Sequence, residues 1–294
     1  LILQITVDGV QGDLPGRYLD PLGEGGFRRL LEEGTVYRNA QYRHSNTETI
    51  VGHTVLATGA NPAASGMVAN VWFDRETGAL TYNIEDGSCE LLSAGAGVNK
   101  ETEIDPTQKV AKVTGRSASN ILTTTFGDEL AVHTAGRAKI FGVSVKDRGA
   151  VSMAGHAGKP FWFSKATGDF VTSTCYYDAY PAWVEEFNAK RLADRYKGKS
   201  WELTGERSTY LHGDADDRSY EMDFPGFGRV FPHPYSEADE KYFTTLLTLS
   251  PAGDELTLDF AKALIEKEQI GRDDVTDYLS ISFSSTDYVS HIFG

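Results

Sequence analysis

An α/β fold with a mostly parallel central sheet flanked by helices is the architecture this sequence predicts, and three observations carry it. Residues 1–7 (Leu-Ile-Leu-Gln-Ile-Thr-Val) are a β-rich apolar run ending at Asp8-Gly9, as expected of a central strand buried on both faces. Residues 26–59 then read as helix, strand and helix in short succession, which favours parallel pairing. Two further strands, 139–145 and 278–283, run directly into polar segments, Lys146-Asp147-Arg148 and Ser284-Ser285-Thr286-Asp287.

The elements follow in order. Residues 26–33 form an amphipathic helix closed by Gly34, and Thr35 to Arg43 reads as a strand. Thr49 stands where the apolar helical pattern of 49–58 begins, and Gly59 closes it. Residues 117–135 read as a helix before strand 139–145. Phe161-Trp162-Phe163, the turn Ala166-Thr167-Gly168-Asp169 and Phe170 to Thr174 form a β-hairpin. Pro181 opens a helix through Trp183, Phe187 and Leu192. From Tyr196 to Tyr235 the chain is rich in Gly, Asp, Tyr and Pro, and 160–235 is assigned to an insertion over the core. Ser236 caps a helix containing Phe243, Leu246 and Leu247, and a long helix spans 254–269. No internal repeat interrupts the single domain expected over 1–294.

Composition narrows the functional classes. A chain of 294 residues can bury a large core. Its 28 Lys and Arg against 42 Asp and Glu give a net charge of −14, which opposes nonspecific nucleic-acid binding. No apolar run reaches the roughly 18 residues of a membrane span. No signal peptide is visible, since Leu1 opens inside a strand; this fits a cytoplasmic chain or one whose leader was removed. Cys89 and Cys175 fit a disulfide or two buried thiols, and the sequence leaves both open. Oligomeric state has no signal here.

The candidate chemistry gathers at strand and helix ends. Asp8 and Asp287 each lie just beyond the carboxyl end of a strand, where open α/β sheets form ligand sites. His291 follows Asp287 by one helical turn, bringing a carboxylate and an imidazole to one side, a donor mix that suits Zn2+. An aspartate at such a place is also an ordinary turn residue. Thr49 at a helix start is either a cap or a hydroxyl placed where anions are attracted. His53 and His156 read as scaffold residues. The run His212-Gly-Asp214-Ala-Asp216-Asp217 reads as a solvated acidic turn.

Several stretches resemble the alkaline phosphatase superfamily, in its nucleotide pyrophosphatase/phosphodiesterase-like branch and nearest its bacterial threonine-nucleophile alkaline phosphatases. They are Thr-Val-Asp-Gly (6–9), Thr-Ile-Val-Gly-His (49–53), Ala-Thr-Gly-Ala-Asn-Pro (57–62) and Gly-Met-Val-Ala-Asn-Val-Trp-Phe-Asp (66–74). Val-Lys-Asp-Arg-Gly-Ala (145–150), Ala-Gly-His (154–156) and Ser-Ser-Thr-Asp-Tyr-Val-Ser-His-Ile-Phe-Gly (284–294) continue the series in order along the whole chain. The resemblance implies two zinc ions, one held by Asp8 and Thr49 and the other by Asp287 and His291. It implies that Thr49 attacks phosphorus to form a phosphothreonine, and that the Asn70 amide donates to a phosphoryl oxygen. It also puts Lys146 and Arg148 where two cations favour the extra charge of a phosphate monoester.

The implied function is hydrolysis of small phosphate monoesters in the periplasm or outside the cell. The alternatives are a phosphodiesterase or nucleotide pyrophosphatase on the same scaffold, and a non-catalytic anion-binding protein. A sulfatase is disfavoured, because the nucleophile position holds neither Cys nor Ser. The family pattern also includes an Asp-His pair and a further His after the Asp287–His291 motif. These are absent from a chain ending at Gly294, so a fragment of a longer protein, poorly stable alone, is expected.

Overall fold

In the computed structural model, which describes residues 1–20, 22–235 and 240–294, strands occupy Ile2–Val7 (β1), Val71–Asp74 (β2), Ala79–Tyr82 (β3), Ile140–Ser144 (β4) and Lys159–Phe163 (β5). They continue with Phe170–Val171 (β6), Ser200–Trp201 (β7), His233–Pro234 (β8) and Tyr278–Phe283 (β9). Helices occupy Leu14–Arg17 (α1), Phe27–Glu33 (α2), Thr49–Thr58 (α3), Pro62–Ser65 (α4) and Phe126–His133 (α5). The remaining α-helices are Asp147–Ala154 (α6), Ala182–Ala189 (α7), Phe243–Thr248 (α8), Pro251–Lys267 (α9) and Ser285–Phe293 (α10).

The main sheet has the order β1-β9-β4-β5-β6. β1, β9, β4 and β5 run parallel, and β6 returns antiparallel beside β5 as the expected hairpin. β9, late in sequence, lies between β1 and β4, with Ile281 opposite both Ile5 and Val143. Apolar side chains leave both faces of β4 and β5, so helices cover both. On one face Phe141, Phe161 and Phe163 meet Phe260 and Leu264 of α9, and Phe260 stacks on Phe170 at 4.3 Å. On the other, Trp162 meets Ile50 and Val51 of α3 and Val151 of α6. A Cβ at Gly142 would lie 2.3 Å from the Ala150 carbonyl oxygen, so glycine lets α6 rest directly on β4.

Several expectations are corrected. Residues 1–7 do form a strand; among the described residues β1 pairs with β9 on one side, and Ile2, Leu3 and Ile5 are exposed. Thr35 to Arg43 is irregular; its residues are exposed and meet no pairing strand among the described residues, so propensity alone does not form one. Of 117–135 only α5 is helical, because Ser117 bonds the Ser119 amide locally and Thr125 starts the helix with a capping box. α7 stops before Leu192, where Arg191 takes a φ of 48°. The segment 160–235 divides: β5, β6 and α7 belong to the main sheet and core, while 172–181 and the stretch after α7 are largely irregular, the latter holding the short β7–β8 pair. The Ser236 cap lies outside the described residues. Cys89 and Cys175 form a disulfide with Cα atoms 5.4 Å apart, which settles their pairing.

Asp128 anchors α5. Its carboxylate accepts from the Thr125, His156 and Ala157 amides, each at 2.8 Å, and pairs with His156 Nδ1. Burial raises its pKa, but the bonds from His156 and the amides win and hold it at about 2. It therefore stabilises the fold above its ordinary 3.8, and that contribution is lost as pH falls from there toward about 2. Asp128→Ala is expected to cost about 1–3 kcal/mol by urea denaturation at neutral pH and to flatten the acid limb. Unchanged stability would contradict this account.

Candidate active site

The carboxyl ends of the parallel strands open on one cleft, as open α/β sheets do. Asp8 follows β1, Lys146 precedes α6 just past β4, Thr49 is the first residue of α3, and Asp287 lies in the first turn of α10. Lys146 joins them. Its side chain is 0% exposed, and its ammonium donates to Asp8 Oδ2 at 2.8 Å and to Thr49 Oγ1 at 3.3 Å and pairs with Asp287 Oδ2. The Thr49 hydroxyl donates to the same Asp8 oxygen at 3.1 Å. Three oxygens from separate elements therefore surround one buried cation. Burial would raise the Asp8 pKa, but Lys146 foremost brings it down to about 2, so the carboxylate stays ionised.

Gly9 permits this approach. Its φ is +77°, and a Cβ there would stand 2.8 Å from the Asp287 Cα. His53 fixes the other side of Thr49. Its Nδ1 meets the Thr49 carbonyl at 2.8 Å, which can only accept, so Nδ1 donates and Nε2 accepts from Ser282 Oγ at 2.7 Å. Burial lowers the His53 pKa, in keeping with this neutral ring. His156 likewise serves the scaffold, bonded to Asp128 and the Ile121 carbonyl.

Asn70 and Arg148 complete the wall. The Asn70 backbone amide is held by the Glu48 carboxylate, and its Oδ1 accepts from the Ile50 amide at 3.2 Å. That fixes the amide orientation and leaves Nδ2 as a donor without a partner among the described residues. Arg148, 3% exposed, donates through one terminal nitrogen to Asp105 Oδ2 at 2.7 Å, while its Nε is buried without a partner. Burial works against ionising Asp105, yet Arg148 outweighs it and pushes the pKa far below the usual carboxylate range. His291 stands at the rim, 74% exposed, with Nε2 3.7 Å from Asp287 Oδ1. The cleft measures ≈ 760 Å³ and is bordered by Thr49, Asn70, Arg148, Asp287, His291 and Met222. Lys146 is buried behind them.

The donor set fits divalent metal. Two carboxylates, a hydroxyl and an imidazole are zinc-compatible ligands, and the oxygens already converge on a positive charge. Asp8 with Thr49, and Asp287 with His291, form two adjacent pairs. Sequence reading missed the residues that support Asn70, Lys146 and Arg148: Glu48, Tyr82, Asp105, Arg116, Asp147 and Tyr288, whose ring lies 4.6 Å from the Lys146 ammonium. Only Asp147, between the two cations, carried a signal.

Fold and site together define a member of the alkaline phosphatase superfamily. The chain belongs to the type I phosphodiesterase/nucleotide pyrophosphatase family, whose model matches residues 2–294. It is 36% identical over 296 residues to the alkaline phosphatase PhoV of Synechococcus elongatus, covering 100% of this chain and 51% of that protein. It is 34% identical over 297 residues to the alkaline phosphatase PafA of Elizabethkingia meningoseptica, covering 100% of this chain and 52% of that protein. A Myroides odoratus protein named a calcium-transporting ATPase matches at 36% over 297 residues, covering 100% of this chain and 52% of its own length. No helix among the described residues is long and apolar enough to cross a membrane. The crystal structure of wild-type PafA superposes with a TM-score of 0.89 at 32% identity, covering 100% of this chain and 54% of that one. A PafA variant with a Thr, an Asn, a Lys and an Arg substituted superposes equally, at 0.89 and 31%. The chain thus spans about half the length of the curated relatives it matches.

Gly9→Ala is expected to push Asp287 away from Asp8 and weaken divalent-metal retention by about 10–100-fold, measured as metal content after dialysis against a metal buffer. Wild-type retention would show that the close approach is dispensable.

Proposed function

We propose that the protein hydrolyses phosphate monoesters through a phosphothreonine on Thr49 at a two-zinc site. The observation that carries this reading is a hydroxyl bonded to an ionised Asp8, with the Asn70 and Arg148 donors on the same cleft wall and the Lys146 ammonium behind it against the Thr49 oxygen. Asp8 and Thr49 would hold one ion, Asp287 and His291 the other. When bound, such a pair supplies Lewis-acid stabilisation of the attacking and leaving oxygens.

This chain's own residues do the rest. The Thr49 O–H donates to Asp8 and its oxygen accepts from Lys146, which fixes the hydroxyl at the cleft edge. The Thr49 hydroxyl loses its proton to solvent, its oxygen bonds to phosphorus as the ester P–O bond breaks, and the leaving alkoxide takes a proton from solvent. Water then attacks the same phosphorus, the Thr49 O–P bond breaks, and inorganic phosphate leaves. Asn70 Nδ2 and the unengaged terminal nitrogen of Arg148 bind nonbridging oxygens, the sites where charge concentrates. A monoester dianion carries one more charged oxygen than a diester, and Lys146 with Arg148 favours it.

The relatives named alkaline phosphatases support this reading, as does the PafA variant, in which the four substituted residue types match Thr49, Asn70, Lys146 and Arg148. The family description favours a second reading, a phosphodiesterase or nucleotide pyrophosphatase. The Cys89–Cys175 disulfide supports a periplasmic or secreted location, where such bonds persist.

In the full-length, zinc-loaded protein, Lys146→Ala and Arg148→Ala are expected to lower monoester kcat/KM by about 10²–10³-fold, and diester kcat/KM far less. Diester preference that survives both substitutions selects the second reading. Radiolabelled phosphate should be trapped on wild type and not on Thr49→Ala. A protein that binds phosphate but never turns over is a binding protein instead.

A further inference from the structure

Behind the wall formed by Arg148 lies a second tier of charge, and we propose that Arg116 is a positioning residue that sets the preference for a phosphoryl dianion by holding Asp147 away from Arg148. This inference rests on the phosphatase reading above. Asp147 stands between the two cations at the start of α6 and is buried. Its Oδ2 accepts from Arg116 Nε at 2.8 Å, and its Oδ1 from the Tyr82 hydroxyl at 2.7 Å and the Arg148 amide at 2.8 Å. Arg116 does not border the substrate cleft.

The guanidinium of Arg116 is itself fixed. It donates to the Val113 and Gly115 carbonyls at 2.8 and 2.9 Å and lies 5.1 Å from the centre of the Tyr82 ring. Its backbone is locked as well. Ser173 Oγ donates to the Arg116 carbonyl at 2.6 Å, and the Asp86 amide donates to the Gly115 carbonyl at 3.1 Å. A Cβ on Gly115 would stand 2.1 Å from the Cys89 carbonyl oxygen, so this segment lies directly against the loop closed by the disulfide. The Tyr82 oxygen is shared, donating to Asp147 and lying 3.4 Å from the Arg148 nitrogen that reaches Asp105.

The consequence is electrostatic. A buried carboxylate stripped of its cation seeks another, because an unpaired charge in a low-dielectric site is costly. Arg148 is within reach through Tyr82. With Arg116 in place Asp147 is neutralised, and Arg148, which borders the cleft, keeps the terminal nitrogen not engaged by Asp105 and Tyr82 for an anion there. Without it, Asp147 competes with the substrate for Arg148. The loss falls on the ester whose extra charge needs that cation.

A merely structural Arg116 would depress both esters in step; a positioning one changes their ratio. The test is kcat/KM for p-nitrophenyl phosphate and bis-p-nitrophenyl phosphate in the full-length, zinc-loaded protein with Arg116→Gln, Arg116→Lys and Tyr82→Phe. Arg116→Gln is expected to lower the monoester value by about 10–100-fold and the diester value by no more than about threefold. Arg116→Lys should recover part of the loss by returning the cation. Tyr82→Phe keeps the ring and should shift the ratio in the same direction, which tests the proposal even if Arg116→Gln does not fold. An active wild type whose ester ratio is unchanged in Tyr82→Phe and in the soluble Arg116 variants overturns the inference alone. A wild type inactive on both esters overturns the phosphatase reading and this inference with it.

Discussion

A buried ammonium between two carboxylates is the constraint on which the rest of the structure depends. Lys146 has no exposed side-chain surface, and an ammonium removed from water without partners carries a penalty of several kcal/mol. β4 can deliver it only if β1 and β9 deliver Asp8 and Asp287 to the same point. The order β1-β9-β4 does so, with every strand pointing its carboxyl end at the cleft. Gly9 removes the side chain that would keep Asp8 from Asp287, and Gly142 lets α6 sit close enough to β4 to continue from Lys146. Fold and site answer the same electrostatic demand.

Charges of alternating sign extend outward from that centre. Arg148 is paired with Asp105, and Asp147 with Arg116. Glu103 pairs with Lys165 and accepts from the amides of Ile104 and Asp105 at 2.9 Å, which fixes the loop bearing Asp105. Each acid satisfies a cation and a stretch of backbone at once, so few side chains can shift alone. The protein is acidic overall, at −14, yet Asn70 and Arg148 line its cleft. Local arrangement rather than net charge determines what such a cleft attracts.

The parts of this arrangement that were legible in the sequence are those written locally. Thr49 at the start of an apolar helical pattern, Gly59 at its end, and Asp287 one turn before His291 all lie in short segments whose geometry follows from helix periodicity. Strand 278–283 announced itself by composition and emerged as β9. What depended on neighbours was hidden. The apolar run 1–7 forms the expected strand, but its pairing with β9, far along the chain, carries no local signal. Thr35 to Arg43 has strand propensity and no partner among the described residues. Asp105 and Arg116 lie in loops without periodicity, where a buried ion-pair member looks like any solvated charge. The two cysteines are 86 residues apart, a separation that carries no geometry.

Zinc-edge anomalous diffraction from crystals of the full-length protein tests the central claim most directly. The account predicts two adjacent peaks, one about 2.0–2.2 Å from oxygens of Asp8 and Thr49 and the other at similar distances from Asp287 and His291. Anomalous density at any other cluster, with these four side chains free of metal, would contradict it.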